Sequence, residues 1–384
     1  MAERVLITGA RAPAALVVAR SFQAAGFEPH LADSCPAWMA RASRAAARVH
    51  AYAAPRTDPA GFARDVARLV ETLDPVLFAP TCEEVFHLAP VAEAGGWGDR
   101  FFAPSPSVLA GLHSKHRFAE TCAGLAVPSP RTVRVTDPAG LRAATPEPER
   151  CVVKREFSRF GVQALVGPSR AQLDRLQPSP AQSWVVQDRI AGEEVSFYAV
   201  CVDGRLTAFS AYRSTWRLRG GAGYAFEALS GDLMARLRGH AEVLAREVVG
   251  RGQFACDAIV DADGEAWLIE CNPRSTSGVF LFARPDALAA AMLGREADDA
   301  LIPACDVRPA MWRYGLPEAL RRREFAAWSR QLKAGRDVIG APGDRAPVLG
   351  AILDSLVFAR RARRTGQSLE GAMTADIEWN GEPV

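Results

Sequence analysis

Lysine is almost missing from this sequence. Only three of its 46 basic residues are lysine, Lys115, Lys154 and Lys333, and the rest are arginine. In an Ala- and Arg-rich chain this bias follows composition, yet a position that keeps lysine can mark a need for a compact ammonium. Histidine is scarce, at six, and the eight cysteines form no CxxC pair. This argues against a zinc framework or a disulfide scaffold and predicts reduced, mostly buried thiols. No apolar run reaches the roughly 18 residues of a membrane span, and no signal-peptide pattern opens the chain. A soluble, cytoplasmic protein with no membrane partner is expected. The 46 basic and 44 acidic residues leave a net charge of +2, so there is no electrostatic footprint for nucleic acid. The turn Thr8-Gly-Ala-Arg-Ala-Pro13 carries one glycine where a dinucleotide fingerprint needs three, which argues against NAD(P).

What the chain does have is length and pattern. Its 384 residues, 49% hydrophobic, are enough for two or three cores. Residues 3–9 read as a buried strand, 13–25 as an Ala-rich helix and 27–32 as a second strand. Helix 58–73, strand 75–79, helix 85–94 and an extended segment at 101–103 continue the alternation. Strand alternating with helix predicts a doubly wound parallel sheet. The middle reads as α+β. Strands are expected over 151–155, 162–166, 184–189, 194–202 and 206–212. Residues 213–224 read as an Arg/Gly-rich loop, followed by helix 231–250 and strands 253–260 and 266–272. From about residue 300 the chain turns basic and helical.

One hairpin carries chemistry. Asp263-Gly264 predicts a two-residue turn, so residue 262 faces 265 and Asp257 faces Glu270. Period two places Glu270 and Asn272 on one face and Trp267, Ile269 and Cys271 on the other. Opposed carboxylates repel. Two carboxylates and an amide oxygen on one face make sense around a cation, and all-oxygen ligation suits Mg²⁺ or Mn²⁺. The alternative is a solvated face that tolerates the repulsion. Asp261, Asp263, Gly264 and Glu270 also match part of a calcium loop, but Ile259 occupies its first ligand place and the flanks are strands, so that reading fails.

Taken in order, the motifs resemble the ATP-grasp superfamily over about residues 1–285. They are Leu112-His-Ser-Lys115 with Phe118, Gly124-Leu-Ala-Val-Pro-Ser-Pro130, Cys151-Val-Val-Lys154, Ser158-Arg-Phe-Gly161, Val185-Val-Gln-Asp-Arg-Ile-Ala-Gly-Glu-Glu194, Phe254-Ala-Cys-Asp257 and Leu268-Ile-Glu-Cys-Asn-Pro-Arg274. The similar branch includes carbamoyl-phosphate synthase domains and D-alanine–D-alanine ligase. The resemblance implies a doubly wound pre-ATP-grasp domain (1–110), a small subdomain (111–186), a large subdomain with the metal site (187–300) and a helical extension (301–384).

The resemblance also implies roles. Lys154 and Lys115 would reach the nucleotide phosphates. Ser158, Arg159 and Gly161 would belong to a turn closing over the triphosphate, with a plain hairpin turn as the alternative. Gln187, Asp188 and Ile190 would belong to the hinge whose backbone reads adenine. Glu194 would bind ribose, with Glu193 as its neighbouring alternative. Asp257, Glu270 and Asn272 would hold the metal. Arg274 would hold a transferred phosphoryl group or a substrate carboxylate, since a guanidinium fork suits either. Arg213 or Arg217 could stabilise developing charge, or belong to a solvated loop. Glu83 or Glu84 could bind a substrate ammonium, or complement a helix dipole.

Ala255 stands where D-alanine–D-alanine ligase has arginine, which argues against D-alanine chemistry. Gln187 departs from a common acidic residue. The implied activity is ATP- and Mg²⁺-dependent ligation of a small carboxylate, such as an amino acid, to an amine or thiol through an acyl phosphate. Kinase- or carboxylase-like phosphoryl transfer and a non-catalytic nucleotide-binding module are the alternatives. The tail could cap the site or complete a homodimer, with Trp312, Trp328 and Trp379 as anchors or as ordinary core.

Overall fold

The apolar run Arg4–Thr8 (β1) lies inside a four-stranded parallel sheet with Glu28–Asp33 (β2), Arg48–Ala51 (β3) and Leu77–Ala79 (β4), in the order β3-β2-β1-β4. The computed structural model describes residues 2–158, 164–218, 221–296 and 300–382. Alternation along β1 sends Val5 and Ile7 to one core and Leu6 to another. The first core takes the helix Pro13–Ala24 through Ala15, Val18, Ala19 and Phe22. The second takes the helices Pro59–Leu73 and Val85–Ala94. Gly9 follows β1 with φ near +74°, and a Cβ there would lie 2.7 Å from Thr81 Oγ1. Only glycine lets this turn approach the loop after β4 so closely.

A second, antiparallel sheet has the order β5-β8-β6-β7, from Thr132–Val135 (β5), Cys151–Arg155 (β6), Leu165–Val166 (β7) and Trp184–Asp188 (β8). The third sheet is seven-stranded, ordered β13-β12-β9-β10-β11-β14-β15. Its strands are Glu193–Val202 (β9), Arg205–Arg217 (β10), Gly223–Ala228 (β11), Gly252–Val260 (β12), Ala266–Asn272 (β13), Ala304–Asp306 (β14) and Arg336–Asp337 (β15). Val195, Phe197, Phe254 and Cys256 face one core, with the helices Lys115–Gly124 and Gly231–Leu244. Tyr198, Val200 and Ala255 face the other, shared with the N-terminal sheet and the helix Ala287–Met292.

The loop expected over 213–224 is largely strand. β10 runs on through Arg217, with register irregularities around Trp216, which is buried beside Tyr224 and Met311. The helix expected over 231–250 is α-helical to Leu244 and ends in a π-helical turn, Ala245–Val249.

From Val338 onward the chain returns to the N-terminal sheet. The helix Pro347–Thr365 packs on Trp38–Arg41, where a Cβ on Gly350 would lie 2.3 Å from the Trp38 carbonyl oxygen. Asp354 accepts from the Trp38 and Met39 N–H groups at 2.9 Å each. Arg11 bonds Asp33, Ser34 and Asp376. Asp33, at the carboxyl end of β2, is therefore spent inside the protein. Trp379 stacks on Phe86 at 4.9 Å, and Trp328 donates to the Met311 carbonyl, so both belong to cores. Trp312 is about half exposed. All eight cysteines are unpaired. Among the described residues, no helix is long and apolar enough to cross a membrane.

Candidate active site

The hairpin of β12 and β13 pairs Asp257 with Glu270, as the sequence predicts, but by a different route. Its loop has three residues, closed by Asp261 N–H to Glu265 O at 3.0 Å, with Gly264 at φ near +78°. Asp261 organises it, accepting from the N–H groups of Asp263 and Glu265 and from Trp267 Nε1. That loop sets Val260 opposite Ala266. A register shift between Asp257 and Ala258 then leaves Ile269 as the extra residue and brings Glu270 against Asp257. The bulge also corrects one assignment: Trp267 and Ile269 do not share a face with Cys271, which joins Leu268 in the core.

The Ile269 carbonyl, at the bulge, is where the second sheet meets the third. It accepts from Lys154 Nζ at 3.3 Å and Gln187 Nε2 at 3.4 Å. Lys154 Nζ lies 3.8 Å from Glu270 Oε2 and Lys115 Nζ 3.4 Å from the same oxygen. Lys115 is buried and also donates to the carbonyls of Ser158 and Glu156, at 3.2 and 3.5 Å. It opens the helix Lys115–Gly124, whose Phe118 and Cys122 pack with Leu268 and Cys271. Two of the three lysines thus converge on one carboxylate.

The electrostatics follow from burial and this pairing. Burial, and then the Glu270 charge, raise Asp257 well above the usual carboxylate range, although Ser196 Oγ donates to it at 2.6 Å. Burial alone would raise Glu270 too, but Lys115 and Lys154 outweigh it and hold Glu270 below the usual carboxylate range. Burial lowers Lys154 to about 8 against the pull of Glu270. Asn272 lies opposite Ala255, on the Asp257 face. Among the described residues no three His, Cys, Asp or Glu side chains converge as a metal cluster. The donors on offer are therefore Asp257, Glu270 and the Asn272 amide. They suit a divalent hard cation, which would relieve the repulsion that raises Asp257.

The remaining candidates divide by face. β9 pairs Ser196 with Asp257 and Glu194 with Ile259, so Glu194 shares the Asp257 face and Glu193 has the opposite one. The Glu194 charge is felt at both Asp257 and Lys154. Arg217 forms an ion pair with Glu194, and Arg213 with Glu193 at 3.2 Å. The fold brings Arg217 to the site and leaves Arg213 on the reverse side. Gln187 is buried, and its side chain bridges to Thr132 Oγ1 at 2.9 Å. Asp188 N–H is spent on the Arg131 carbonyl, and Ile190 follows the end of β8. Ser158 Oγ donates to Arg155 O at 3.3 Å. Arg159 and Gly161 lie outside the described residues.

Arg274 Nε donates to Glu83 at 3.1 Å, and its Nη2 to Asn272 Oδ1 at 3.4 Å. Burial would lower Arg274, but Glu83 outweighs it and raises the guanidinium further. Glu83 therefore serves the arginine. Glu84 is fully buried before the helix Val85–Ala94, accepts from Thr8 Oγ1 at 2.8 Å, and is raised chiefly by burial.

No family model matches the sequence, and no curated protein matches it. Solved structures do match. One is the biotin carboxylase domain dimer of Hydrogenobacter thermophilus 2-oxoglutarate carboxylase, in complex with MgADP, ADP and bicarbonate. Its TM-score is 0.61 at 16% identity, over 78% of this chain and 71% of that chain. Another is N5-carboxyaminoimidazole synthetase from Staphylococcus aureus, with TM-score 0.60 at 13% identity, over 78% and 80% of the two chains. The L-amino acid ligase from Bacillus licheniformis matches with TM-score 0.57 at 12% identity, over 76% and 74%. The chain has the ATP-grasp fold.

Several residues around this candidate site gave no signal in the sequence. Glu156 accepts from Ser114, Ser183 and Arg134, and its carbonyl from Lys115. Those hydrogen bonds lower its carboxyl against the effect of burial. Gln253 donates to Pro80 O and accepts from Tyr198 and Ser275, tying the Glu83 loop to the residue after Arg274. Both are polar residues next to apolar runs and belong to no motif. A cavity of about 700 Å³, lined by Phe86, Arg117, Arg134, Phe157 and Trp379 among others, does not include the Asp257–Glu270 pair.

Proposed function

We propose that this chain is an ATP-dependent ligase that joins a small carboxylic acid to an amine, or to a thiol, through an acyl phosphate. The observation that carries the reading is the convergence of Lys115 and Lys154 on Glu270, itself opposed to Asp257. That is an arrangement for polyanion and divalent cation together. Solved structures of the same fold include a MgADP complex and an amino acid ligase, which supports ATP and Mg²⁺ here.

In this reading Asp257, Glu270 and Asn272 hold Mg²⁺, which supplies charge neutralisation at the phosphates. Lys115 and Lys154 bind phosphate oxygens, Glu194 binds ribose, and the segment Gln187–Ile190 lies along adenine. A substrate carboxylate oxygen attacks the γ-phosphorus, and the bond from phosphorus to the β–γ bridging oxygen breaks to release ADP. The amine nitrogen then attacks the acyl carbon, phosphate leaves, and the amine proton passes to solvent. Positioning and charge balance dominate such a transfer. Arg274, oriented by Glu83, faces the anion that moves, and Arg217 must release Glu194 to take part.

The test is ADP release over a panel of amino acids, other small acids and bicarbonate, paired with amines and thiols, with mass detection of condensed product. A condensed product with one equivalent of ADP is expected. A stable phosphoester would indicate a kinase instead. Nucleotide binding without turnover on any acid would leave only a binding module.

A further inference from the structure

The helix Pro347–Thr365 has a second apolar face that nothing among the described residues covers. Leu349, Ile352, Leu353 and Leu356 are 68%, 49%, 48% and 57% exposed. Their spacing of i, i+3, i+4 and i+7 puts them on one stripe. The opposite stripe, with Pro347, Gly350, Asp354 and Phe358, is buried against the body. Trp38, on the segment that Asp354 anchors, is 43% exposed as well. A lone exposed leucine requires no cause, but four in register form a patch that does.

We propose that a second copy of this chain covers the stripe, through a two-fold crossing of the two Pro347–Thr365 helices. The length of the stripe suits a crossing. It lasts two turns, roughly 10 Å, and stops at Leu356. The next positions on the same line are Arg360, Arg363 and Arg364, which are exposed and form no ion pair among the described residues. A long zipper would stack those arginines against the other helix. A crossing near 50° carries the last turns apart into water.

Area and symmetry agree with this. With Trp38, the four aliphatic side chains expose roughly 500 Å², within the range of the largest patch on a typical monomer. Two copies would bury roughly 1,000 Å², the lower edge of a specific interface. An axis near Ile352 and Leu353 sets Leu349 of each copy beside Leu356 of the other, like against like, as a two-fold contact requires. The dimer is therefore weak and concentration-dependent. It is independent of the ligase reading.

The competing occupant is an anionic surface drawn to the arginines, and salt separates the two. The stripe is apolar and the crossing keeps the two sets of arginines apart, so salt preserves or strengthens the dimer, whereas it weakens attraction to an anionic surface. The test is sedimentation velocity of the full chain from about 1 to 100 µM, where an interface of this size dissociates, at low and high NaCl. A monomer–dimer equilibrium is expected that high salt does not weaken. Leu353→Glu should weaken it at least about tenfold with an unchanged melting temperature. Leu320→Glu, at a more exposed leucine on another helix, should leave it intact. A monomer at every concentration, or a dimer indifferent to Leu353→Glu, overturns the proposal. So does a monomer that binds phosphatidylglycerol vesicles at low salt and releases them at high salt.

Discussion

Asp257 faces Glu270 because two one-residue irregularities in their hairpin cancel. The three-residue loop alone would set Ile269 against Asp257, and the bulge at Ile269 restores the carboxylate pair. The same bulge presents the carbonyl that Lys154 and Gln187 hold. Joining of the second and third sheets and formation of the acidic pair are one structural event.

Glu270→Gln keeps the shape and removes the charge that both lysines meet. MgATP turnover should fall by more than about 100-fold, the scale on which one preorganised charge-stabilising group acts. Stability should fall somewhat, because the two buried lysines that hold Glu270 ionised outweigh its repulsion with Asp257. ADP release and a thermal melt on the same sample check both. Lost activity with a collapsed melt would mean that Glu270 is a structural residue.

Lys154 tests the meaning of scarce lysine. Burial lowers its ammonium to about 8. A lysine with a lowered pKa is charged below that value and neutral above it, so MgATP affinity should fall as pH rises through 8. Lys154→Arg should move that fall to higher pH, since guanidinium stays charged. Lys154→Ala should reduce turnover far more than Lys333→Ala, at an exposed site on the helix Phe325–Ala334. Equal effects would make the low lysine count purely compositional.

Arg274 and Glu83 join the third sheet to the loop after β4. Glu83→Ala leaves a buried guanidinium without its carboxylate, a change that typically costs 3–5 kcal/mol. Arg274→Ala should cost a similar amount, and the double variant less than the sum. Chemical denaturation of the four proteins measures the coupling. Strict additivity would mean that the pair does not act as a unit.

The legible parts of this molecule were those written in local period. The buried strand expected over 3–9 is Arg4–Thr8, and the Asp257–Glu270 pairing read from the turn is present, though it needs the bulge as well. Short strands such as Arg48–Ala51 and Ala304–Asp306 were missed because three or four residues carry too little period. The loop expected around Arg213 became strand because Trp216 finds a core with Tyr224 and Met311, a contact far away in sequence. Which arginine reaches the site was not legible either, since irregular pairing around Trp216 alters the alternation. Glu156 and Gln253 act through partners tens to hundreds of residues away, where local pattern has no reach. The tail gave no local sign that Asp376 ends on Arg11.

That last contact should appear as acid sensitivity. Burial would raise Asp376, but hydrogen bonds and charge from Arg11, with Ser34 and Arg361, hold it near 2 against an ordinary 3.8. A carboxyl lowered on folding stabilises the native state above its unfolded pKa and loses that contribution as pH falls through the folded one. The window is therefore pH 4 down to about 2. The contribution is on the order of 2 kcal/mol, at about 1.4 kcal/mol per unit. Asp376→Asn should lower stability at pH 7 by that order and flatten the pH dependence below 4. The tail also brings Glu378 to Arg56 and Trp379 to Phe86, so its release should expose the indole. Trp379 fluorescence, with the other tryptophans replaced by phenylalanine, should shift to the red at higher pH in Asp376→Asn than in the parent. Coincident curves would show that Arg11 does not hold the tail.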